Sequence, residues 1–165
     1  MTSDQVISIC PATLTDHVPL ARMFTAYQRT IAAHDPSIDP EMEFQSVWLE
    51  KPGQLFPYMI CRGGKHVGFI LNYGKEYTAA DGETGDNSVY AMYVIDDCRG
   101  MGVAERGLRL VLALHAGTWS VPVLIDNLPA MGFWKRVLGS PEFQLKMDPE
   151  QGRFVTFRIT VQQDG

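Results

Sequence analysis

The chain has 165 residues, close to the roughly 150 residues typical of one domain, so we expect a single domain over residues 1–165. Its hydrophobic fraction of 45% and charged fraction of 20% are typical of globular proteins and exclude a disordered or collagen-like chain. With 14 Lys and Arg against 19 Asp and Glu, the net charge of −5 has the wrong sign for neutralising nucleic-acid phosphates. We therefore expect no nucleic-acid partner.

The cysteines and the lengths of the apolar runs indicate the cellular compartment of the protein. Cys10, Cys61 and Cys98 include no CxxC pair and cannot all pair with one another, so their spacing predicts neither a disulfide framework nor a metal site. The first residues lack a basic segment followed by a long apolar stretch, and no run approaches the ~20 apolar residues that span a bilayer. We predict a cytoplasmic protein without a membrane partner.

The first third of the sequence predicts one strand and two helices. Polar and apolar residues alternate over residues 6–10, as in a half-buried strand. Apolar residues at helical spacing predict a helix over residues 17–33, capped by Thr15. Asp39 and Pro40 then predict the start of a short second helix, because Pro is tolerated in a first helical turn. The apolar stripe of that second helix is formed by Phe44, Val47 and Trp48.

The middle of the sequence predicts a hairpin, a loop and a third strand. Residues 57–62 and 66–73 are rich in β-branched and aromatic side chains, and the Gly63-Gly64 dipeptide between them favours a tight hairpin turn. The polar stretch 74–87 contains three glycines and predicts an exposed, mobile loop. Residues 88–94 are again strand-like.

The last third predicts alternating helices and strands. A broad apolar stripe predicts a helix from Val103, and a second helix begins at Pro129. Between them residues 119–125 predict a strand, in which Pro122 implies a bulge or an unpaired stretch. Two further strand patterns complete the chain, over residues 143–146 and 153–161. The order β-α-α-β-β-β-α-β-α-β-β predicts an α+β (mixed α/β) fold with helices on both faces of a sheet.

Residues 99–104, Arg-Gly-Met-Gly-Val-Ala, form a glycine-rich turn between a predicted strand and a predicted helix. Free N–H groups at the helix start, the positive end of the helix dipole and the charge of Arg99 suit a phosphate or pyrophosphate. A glycine-rich connection without any ligand explains these six residues equally well. The spacing matches neither a Walker loop nor the dinucleotide GxGxxG pattern.

Two motifs resemble the GCN5-related N-acetyltransferase (GNAT) family. The family's signature Arg/Gln-x-x-Gly-x-Gly/Ala is matched by Arg99, Gly102 and Ala104. A strand end followed by Asn-x-x-Ala-x-x-aromatic-aromatic is matched by Asn127, Ala130, Phe133 and Trp134. The resemblance is specific over residues 88–139, whereas the N-terminal third agrees only in the order of its elements.

The resemblance implies a single N-acetyltransferase domain whose mixed, mostly antiparallel sheet has six to seven strands. It implies acetyl-CoA as cosubstrate, bound where the strands ending at Val94 and Ile125 separate, and no metal. Pro122 fits such an opening, because a strand without a partner forfeits no hydrogen bond there. The implied cofactor-binding residues lie in the strand, the turn and the last helix: Met92, Tyr93, Val94, Arg99, Gly100, Met101, Gly102, Val103, Ala104, Asn127, Ala130, Phe133 and Trp134.

The sequence departs from the family at the catalytic positions. Trp134 stands where many relatives have the tyrosine that protonates the leaving thiolate, and an indole N–H is no practical acid. Ala91 and Pro122 occupy the positions of the carboxylates that act as base in some relatives. Asp126 and Tyr93 are the remaining candidates, although a solvated strand end and strand packing also explain them. The catalytic residues therefore stay unassigned.

The resemblance implies direct acetyl transfer to a primary amine of a small molecule or peptide, held near the first two helices and the last hairpin. Acidic residues cluster there, as a cationic amine requires, although a solvated charged edge also explains them: Asp35, Asp39, Glu41 and Glu43. Two alternatives stay open, namely a catalytically impaired acyl-CoA-binding or regulatory module of the same fold and a domain that binds no CoA. A homodimer is left open as well.

Overall fold

The structure, a computed structural model, describes residues 6–163, so residues 1–5 and 164–165 of the expected domain lie outside it. The described chain forms, in order, β1 (Ile7–Pro11), α1 (His17–Ala32), β2 (Leu55–Arg62), β3 (Lys65–Tyr73), α2 (Lys75–Ala80), β4 (Asn87–Val94), α3 (Val103–Leu114), β5 (Gly117–Leu124), α4 (Leu128–Leu138), β6 (Lys146–Met147) and β7 (Phe154–Val161). Short 3-10 turns occupy Leu14–Asp16, Ser46–Leu49, Asp96–Cys98 and Pro141–Phe143.

The strands form one seven-stranded sheet in the order β1-β2-β3-β4-β5-β7-β6. All neighbouring strands are antiparallel except β4 and β5, which are parallel. The predicted mixed, mostly antiparallel α+β fold is therefore confirmed. No helix in the described part of the chain combines the length and the apolar character needed to cross a bilayer.

An apolar layer covers each face of the sheet. The layer around α3 and α4 contains the fully buried Leu108 and Phe157, and the layer around α1 contains Leu20 and Phe69. Side chains of a strand alternate between faces, and in β1 the side chain of Ile9 contacts the α3 layer whereas that of Cys10 contacts the α1 layer. The alternation that predicted β1 thus reflects two different buried environments.

The predicted hairpin is confirmed, and its turn has the geometry that glycine favours. Gly63 and Gly64 join β2 to β3 with φ values of 56° and 81°. Tight two-residue hairpin turns of this kind need positive φ at both positions, where side chains other than glycine are strained.

The predicted cap of α1 is wrong. Thr15 does not cap the helix. It lies within a 3-10 turn that precedes α1, and Asp16 is the N-cap residue of α1. The backbone N–H of Thr13 donates to Asp16 Oδ2 at 2.9 Å, so that Asp16 closes the turn and starts the helix. Thr and Asp are both favoured N-cap residues, so only the turn geometry distinguishes Thr15 from Asp16.

The predicted second helix is also wrong, because only the 3-10 turn Ser46–Leu49 forms there. The carboxylate of Asp39 accepts a hydrogen bond from the N–H of Glu41 at 2.9 Å, which stabilises a local turn instead of capping a helix. Phe44 and Trp48 are nevertheless buried in the α1 layer. Their apolar character reflects core packing and not helical periodicity.

Two further predicted elements differ from the structure. The predicted mobile loop 74–87 contains α2, which is held by the fully buried Thr78 and by stacking of Tyr77 on Tyr73 at 5.8 Å. The predicted strand 143–146 is replaced by the turn Pro141–Phe143 and the two-residue β6, because Phe143 turns inward into the α3 layer.

Gly68 controls how closely β3 approaches β4. It pairs with Val94, and a Cβ atom at this position would overlap the carbonyl oxygen of Tyr93. We expect Gly68→Ala to lower the free energy of unfolding by about 1–3 kcal/mol, the usual cost of overpacking, in urea titrations. The matched control is Gly132→Ala on the exposed side of α4, where a Cβ meets no described atom within 4 Å. Equal stability of the Gly68→Ala variant and the wild type would contradict this packing argument.

Candidate active site

The two parallel strands at the centre of the sheet separate soon after they meet. β4 and β5 pair only through Asn87 with Trp119 and Ser88 with Ser120. Beyond Ser120, β5 continues to pair with β7, as at Pro122, but no longer with β4. The facing backbone edges of β4 and β5 therefore line an open cleft of about 1090 Å³. The unpaired stretch that Pro122 predicted is the β4-facing edge of β5.

A bulge in β4 lies where the strand leaves β5. In the pairing with β3, Leu71 stands opposite Ala91 and Asn72 opposite Val89, so Tyr90 has no partner. An extra residue of this kind bends a strand and increases its twist, and such bulges occur frequently beside active sites. The sequence contains no signal for this bulge, because tyrosine is an ordinary strand residue.

One end of the cleft has a backbone geometry that suits an anion. Gly100 and Gly102 have φ values of 77° and 76°, and a Cβ at either position meets no described atom within 4 Å. Gly102 is the N-cap residue of α3, and its carbonyl accepts the first helical hydrogen bond from the N–H of Arg106 at 3.0 Å. The backbone N–H groups of the first three helical residues thus have no helical acceptor and suit an anionic ligand.

Arg99 connects this turn to the end of β4. Its Nε donates to the carbonyl oxygen of Val94 at 3.1 Å, and its Nη1 lies 3.0 Å from Asp96. The guanidinium carbon lies 5.4 Å from the centre of the Tyr93 ring. Arg99 therefore positions the glycine turn and also adds positive charge to it.

The structure brings almost all the expected cofactor-binding residues together. Of that set, the residues that line the cleft are Met92, Tyr93, Val94, Arg99, Gly100, Gly102, Val103, Ala104, Asn127, Ala130, Phe133 and Trp134. Met101 does not line it; its side chain is 58% exposed and its sulfur contacts Arg62 Nη1 at 3.3 Å. Of the two catalytic candidates, Tyr93 lines the cleft, whereas Asp126 is exposed outside it.

Helix α4 forms the opposite wall of the cleft. Asn127 caps the helix, because its Oδ1 accepts from the N–H of Ala130 at 3.2 Å. Trp134 is buried, and its ring contacts that of Phe133 edge to face at 5.2 Å. Trp134 therefore presents an apolar surface to the cleft at the position where many relatives have a tyrosine.

Sequence reasoning missed Arg136, a second cation at the anion end. Its exposed guanidinium lies 5.7 Å from the centre of the Phe133 ring and lines the cleft. Glu105, in the first turn of α3, would repel an anion, but it lies 3.3 Å from Arg109 and 3.9 Å from Arg136. The position of Arg136, two residues after the aromatic pair on the same helix, could have suggested its role.

The acidic cluster expected to bind the acceptor is dispersed in the structure. Asp35 is buried in a turn, where the N–H and hydroxyl of Ser37 donate to its Oδ1 at 2.9 and 2.7 Å. These hydrogen bonds hold the pKa of Asp35 below its ordinary value. Arg153 lies 3.6 Å from the same carboxylate. Asp35 therefore stabilises the turn and does not face the cleft.

Only Asp39 among the four expected acidic residues lines the cleft. Glu41 is exposed and lies 3.8 Å from Arg29, and Glu43 is exposed outside the cleft. This segment thus contributes one exposed acidic residue to the cleft lining.

A second carboxylate, that of Asp81, comes from the segment predicted to be a mobile loop. Asp81 follows α2 and lines the rim of the cleft together with Tyr90. Partial burial raises the pKa of Asp81 above its ordinary value, and burial together with the charge of Asp81 raises the pKa of Tyr90. Tyr90 is held by Trp48 and Tyr73, with both ring centres 5.3 Å away. The second end of the cleft is therefore acidic and aromatic.

Comparisons with known proteins agree with this architecture. The acetyltransferase (GNAT) family model matches residues 20–139. The chain is similar to an acetyltransferase from Thermus thermophilus, with 16% identity and a TM-score of 0.69 over 94% of this chain and 97% of that one. It is also similar to Arabidopsis thaliana NAA60 in complex with acetyl-CoA, with 14% identity and a TM-score of 0.57 over 93% and 98% of the chains. No curated protein sequence matches the chain significantly.

A third similar structure is the ribosomal-protein-S18-alanine N-acetyltransferase from Escherichia coli, with 15% identity and a TM-score of 0.54 over 97% of each chain. These likenesses show the fold, in which the central parallel strand pair separates. The chain belongs to the GNAT family of acetyltransferases, as its two motifs predicted.

Asp81 costs stability in its charged form, because the raised pKa means that the folded chain binds its proton more tightly than the unfolded chain. The free energy of unfolding therefore falls as the pH rises above about 3.9, the pKa of an aspartate in the unfolded chain. We expect Asp81→Asn to melt at a higher temperature than the wild type near pH 7, with the difference disappearing as the pH is lowered. Glu150→Gln, an exposed carboxylate in the loop before β7, is the control. A lower melting temperature for Asp81→Asn near pH 7 would refute this interpretation.

Proposed function

We propose that the chain is a single acetyl-CoA-dependent N-acetyltransferase domain that transfers an acetyl group directly to a primary amine. The observation that carries this proposal is the open edge of β4 leading to the unpaired N–H groups at the start of α3. An extended, amide-containing arm attached to a pyrophosphate is the ligand that such an edge and such a helix start complement.

Each part of the cofactor has complementary groups in the cleft. The pantetheine amides would pair with the backbone of residues 92–94, which β5 leaves free. The pyrophosphate would accept hydrogen bonds from the N–H groups at the α3 start, with Arg99 and Arg136 supplying positive charge. Phe133 and Trp134 would cover the apolar side of the arm. A backbone N–H of β4 would also polarise the thioester carbonyl.

The proposed reaction is attack by the neutral amine nitrogen on the thioester carbonyl carbon. A new C–N bond forms, the C–S bond breaks, and the electron pair of that bond leaves with the CoA sulfur. Holding the two reactants in one cleft supplies most of the acceleration, and a thiol with a pKa of about 8–9 is a fair leaving group without a side-chain acid. An amine bound as a cation first loses one proton to water or to a nearby carboxylate, and after the attack the nitrogen loses a second proton by the same route.

Asp81 is our candidate for that carboxylate. It lines the cleft, and partial desolvation raises its pKa above the ordinary value, the direction that favours a general base. Asp126 lies outside the cleft lining, and the ring of Tyr93 lies against Arg99. The two candidates that the sequence suggested therefore have less support from the geometry.

The acceptor we propose is a cationic primary amine on a small molecule or peptide. Asp39 and Asp81 attract a cation to this end of the cleft, which the aromatic residues Tyr27 and Tyr90 also line. One rival function is an acyl-CoA-binding or regulatory module without turnover, which the apolar Trp134 at the acid position favours. A cytoplasmic location and a homodimer stay predictions of the sequence.

Acetyl-CoA should raise the melting temperature of the wild-type chain, because a ligand that binds only the folded state stabilises it by mass action. Gly102→Glu should abolish that rise by placing bulk and negative charge where the pyrophosphate binds. Gly53→Glu is the matched control, since Gly53 has a similar φ of 86°, faces open space and lies outside the cleft. An unchanged melting curve at saturating acetyl-CoA, with no heat of binding in calorimetry, would rule out the proposed function.

Substitutions of Trp134 can distinguish a role in the reaction from a role in packing. If the thiolate leaves without a side-chain acid, Trp134→Phe should change cofactor affinity more than the pH dependence of kcat on an accepted amine. Trp134→Tyr restores a phenol at the acid position, so a faster rate would show that proton delivery limits the wild type. Both variants should lose about 1–3 kcal/mol of stability, because Trp134 is buried. A fall of kcat at high pH that is present only in the wild type would show that Trp134 governs protonation.

A further inference from the structure

Three metal-ligating side chains meet on the α1 face of the sheet, away from the cleft. The sulfur atoms of Cys10 and Cys61 and a ring nitrogen of His66 lie within 4.8 Å of one another. None of the three residues lines the cleft. The proposed acetyl transfer uses none of them, although two thiols and an imidazole together are an uncommon combination of side chains.

The strand register creates this cluster. His66 stands directly opposite Cys61, because a register shift between Ile60 and Cys61 leaves Val67 without a partner in β2. Cys10 is the diagonal neighbour of Cys61, since Cys10 pairs with Met59 across β1 and β2. A bulge of this kind re-aims side chains, and here it brings the imidazole to the face that already holds both thiols.

A carboxylate stands beside the cluster in a fixed orientation. The Oδ2 atom of Asp16 is held by the N–H of Thr13 at 2.9 Å, while its Oδ1 atom lies 3.7 Å from His66 Nε2. That separation is too long for a hydrogen bond. Asp16 is not among the three residues whose ligand atoms all lie within 4.8 Å of one another, so it stands next to them as an outer, charged group.

We propose that Cys10, Cys61 and His66 bind one zinc ion, with Asp16 beside the fourth coordination position. Two thiolates and an imidazole match the ligand preference of zinc, and the two negative charges neutralise the ion. The ion would join β1, β2, β3 and the start of α1, so its role is structural stabilisation of that edge of the sheet.

A disulfide between the same two cysteines fits the backbone less well. Diagonal residues of an antiparallel pair have Cα atoms about 7–8 Å apart, beyond the ~6.8 Å upper end of the usual disulfide range. A zinc ion between the sulfurs lengthens the bridge and accommodates this spacing. Burial and the neighbouring Cys10 raise the pKa of the Cys61 thiol to about 11, so binding must release the thiol protons to solvent.

The test is a cobalt titration of the full chain without a polyhistidine tag, after reduction and removal of metals with a chelator. We expect one equivalent of Co²⁺ to produce a thiolate-to-cobalt charge-transfer band and the visible bands of a tetrahedral site, and Zn²⁺ to displace it. Cys98→Ser, which removes the cysteine outside the cluster, is the matched control and should behave as the wild type.

His66→Ala should weaken cobalt binding at least tenfold and should fold normally, because the His66 side chain is 32% exposed. Asp16→Asn keeps an acceptor for Thr13 and should weaken binding roughly 10–100-fold, as outer ligand-orienting groups do. No charge-transfer band in the reduced wild type, or an equal band in His66→Ala, would overturn the proposal. A Cys10–Cys61 disulfide found by mass spectrometry in the freshly purified, unreduced protein would overturn it as well.

Discussion

The separation of β4 from β5 is the constraint on which the rest of the structure depends. Two parallel pairings, ending at Ser88 and Ser120, hold the two halves of the sheet together, and beyond them each strand has a partner on one side only. Unpaired backbone groups buried in protein are costly, so such an edge persists only where water or a ligand satisfies it. The cleft therefore exists because the sheet leaves hydrogen bonds unmade, and Pro122 and the bulge at Tyr90 maintain it.

The two ends of this cleft have opposite electrostatic character. At the α3 end, Arg109 and Arg136 lie 3.3 and 3.9 Å from Glu105 and offset its charge, so the unpaired helix N–H groups give this end its positive character. At the other end, Asp39 and Asp81 face the same space. An anionic cofactor and a cationic acceptor would thus be drawn to different ends, and the reacting groups would meet between them. This arrangement supports positioning as the main source of catalysis, with Trp134 contributing an apolar wall.

Local sequence patterns predicted helices, strands and turns correctly wherever a single local interaction decides the backbone conformation. The Gly63-Gly64 hairpin and the glycine turn before α3 follow from backbone φ, and α4 follows from its cap and apolar stripe. The errors arose where apolar residues serve the core without regular structure. Phe44 and Trp48 are buried although they lie in or next to a short turn, and Phe143 is buried although it lies in a 3-10 segment. Their apolar side chains therefore resembled the periodic pattern of a helix or strand. The polar composition of residues 74–87 likewise gave no sign of α2, because the stability of this helix comes from contacts with β3 and β4.

The sequence by itself determined the fold class, the family and the glycine turn before α3, because these depend on residues that are neighbours along the chain. Only the tertiary structure decided which distant side chains share a site. It placed Asp81 in the cleft, removed Asp35 from it, and brought Cys10, Cys61 and His66 together. The positions of Asp81 and Asp35 depend on how the end of α2 and the turn after α1 pack against distant elements. The meeting of the two thiols and the imidazole depends on strand register, since a single bulge moves every following side chain to the other face. Register is set by packing across strands, which no local stretch of sequence contains.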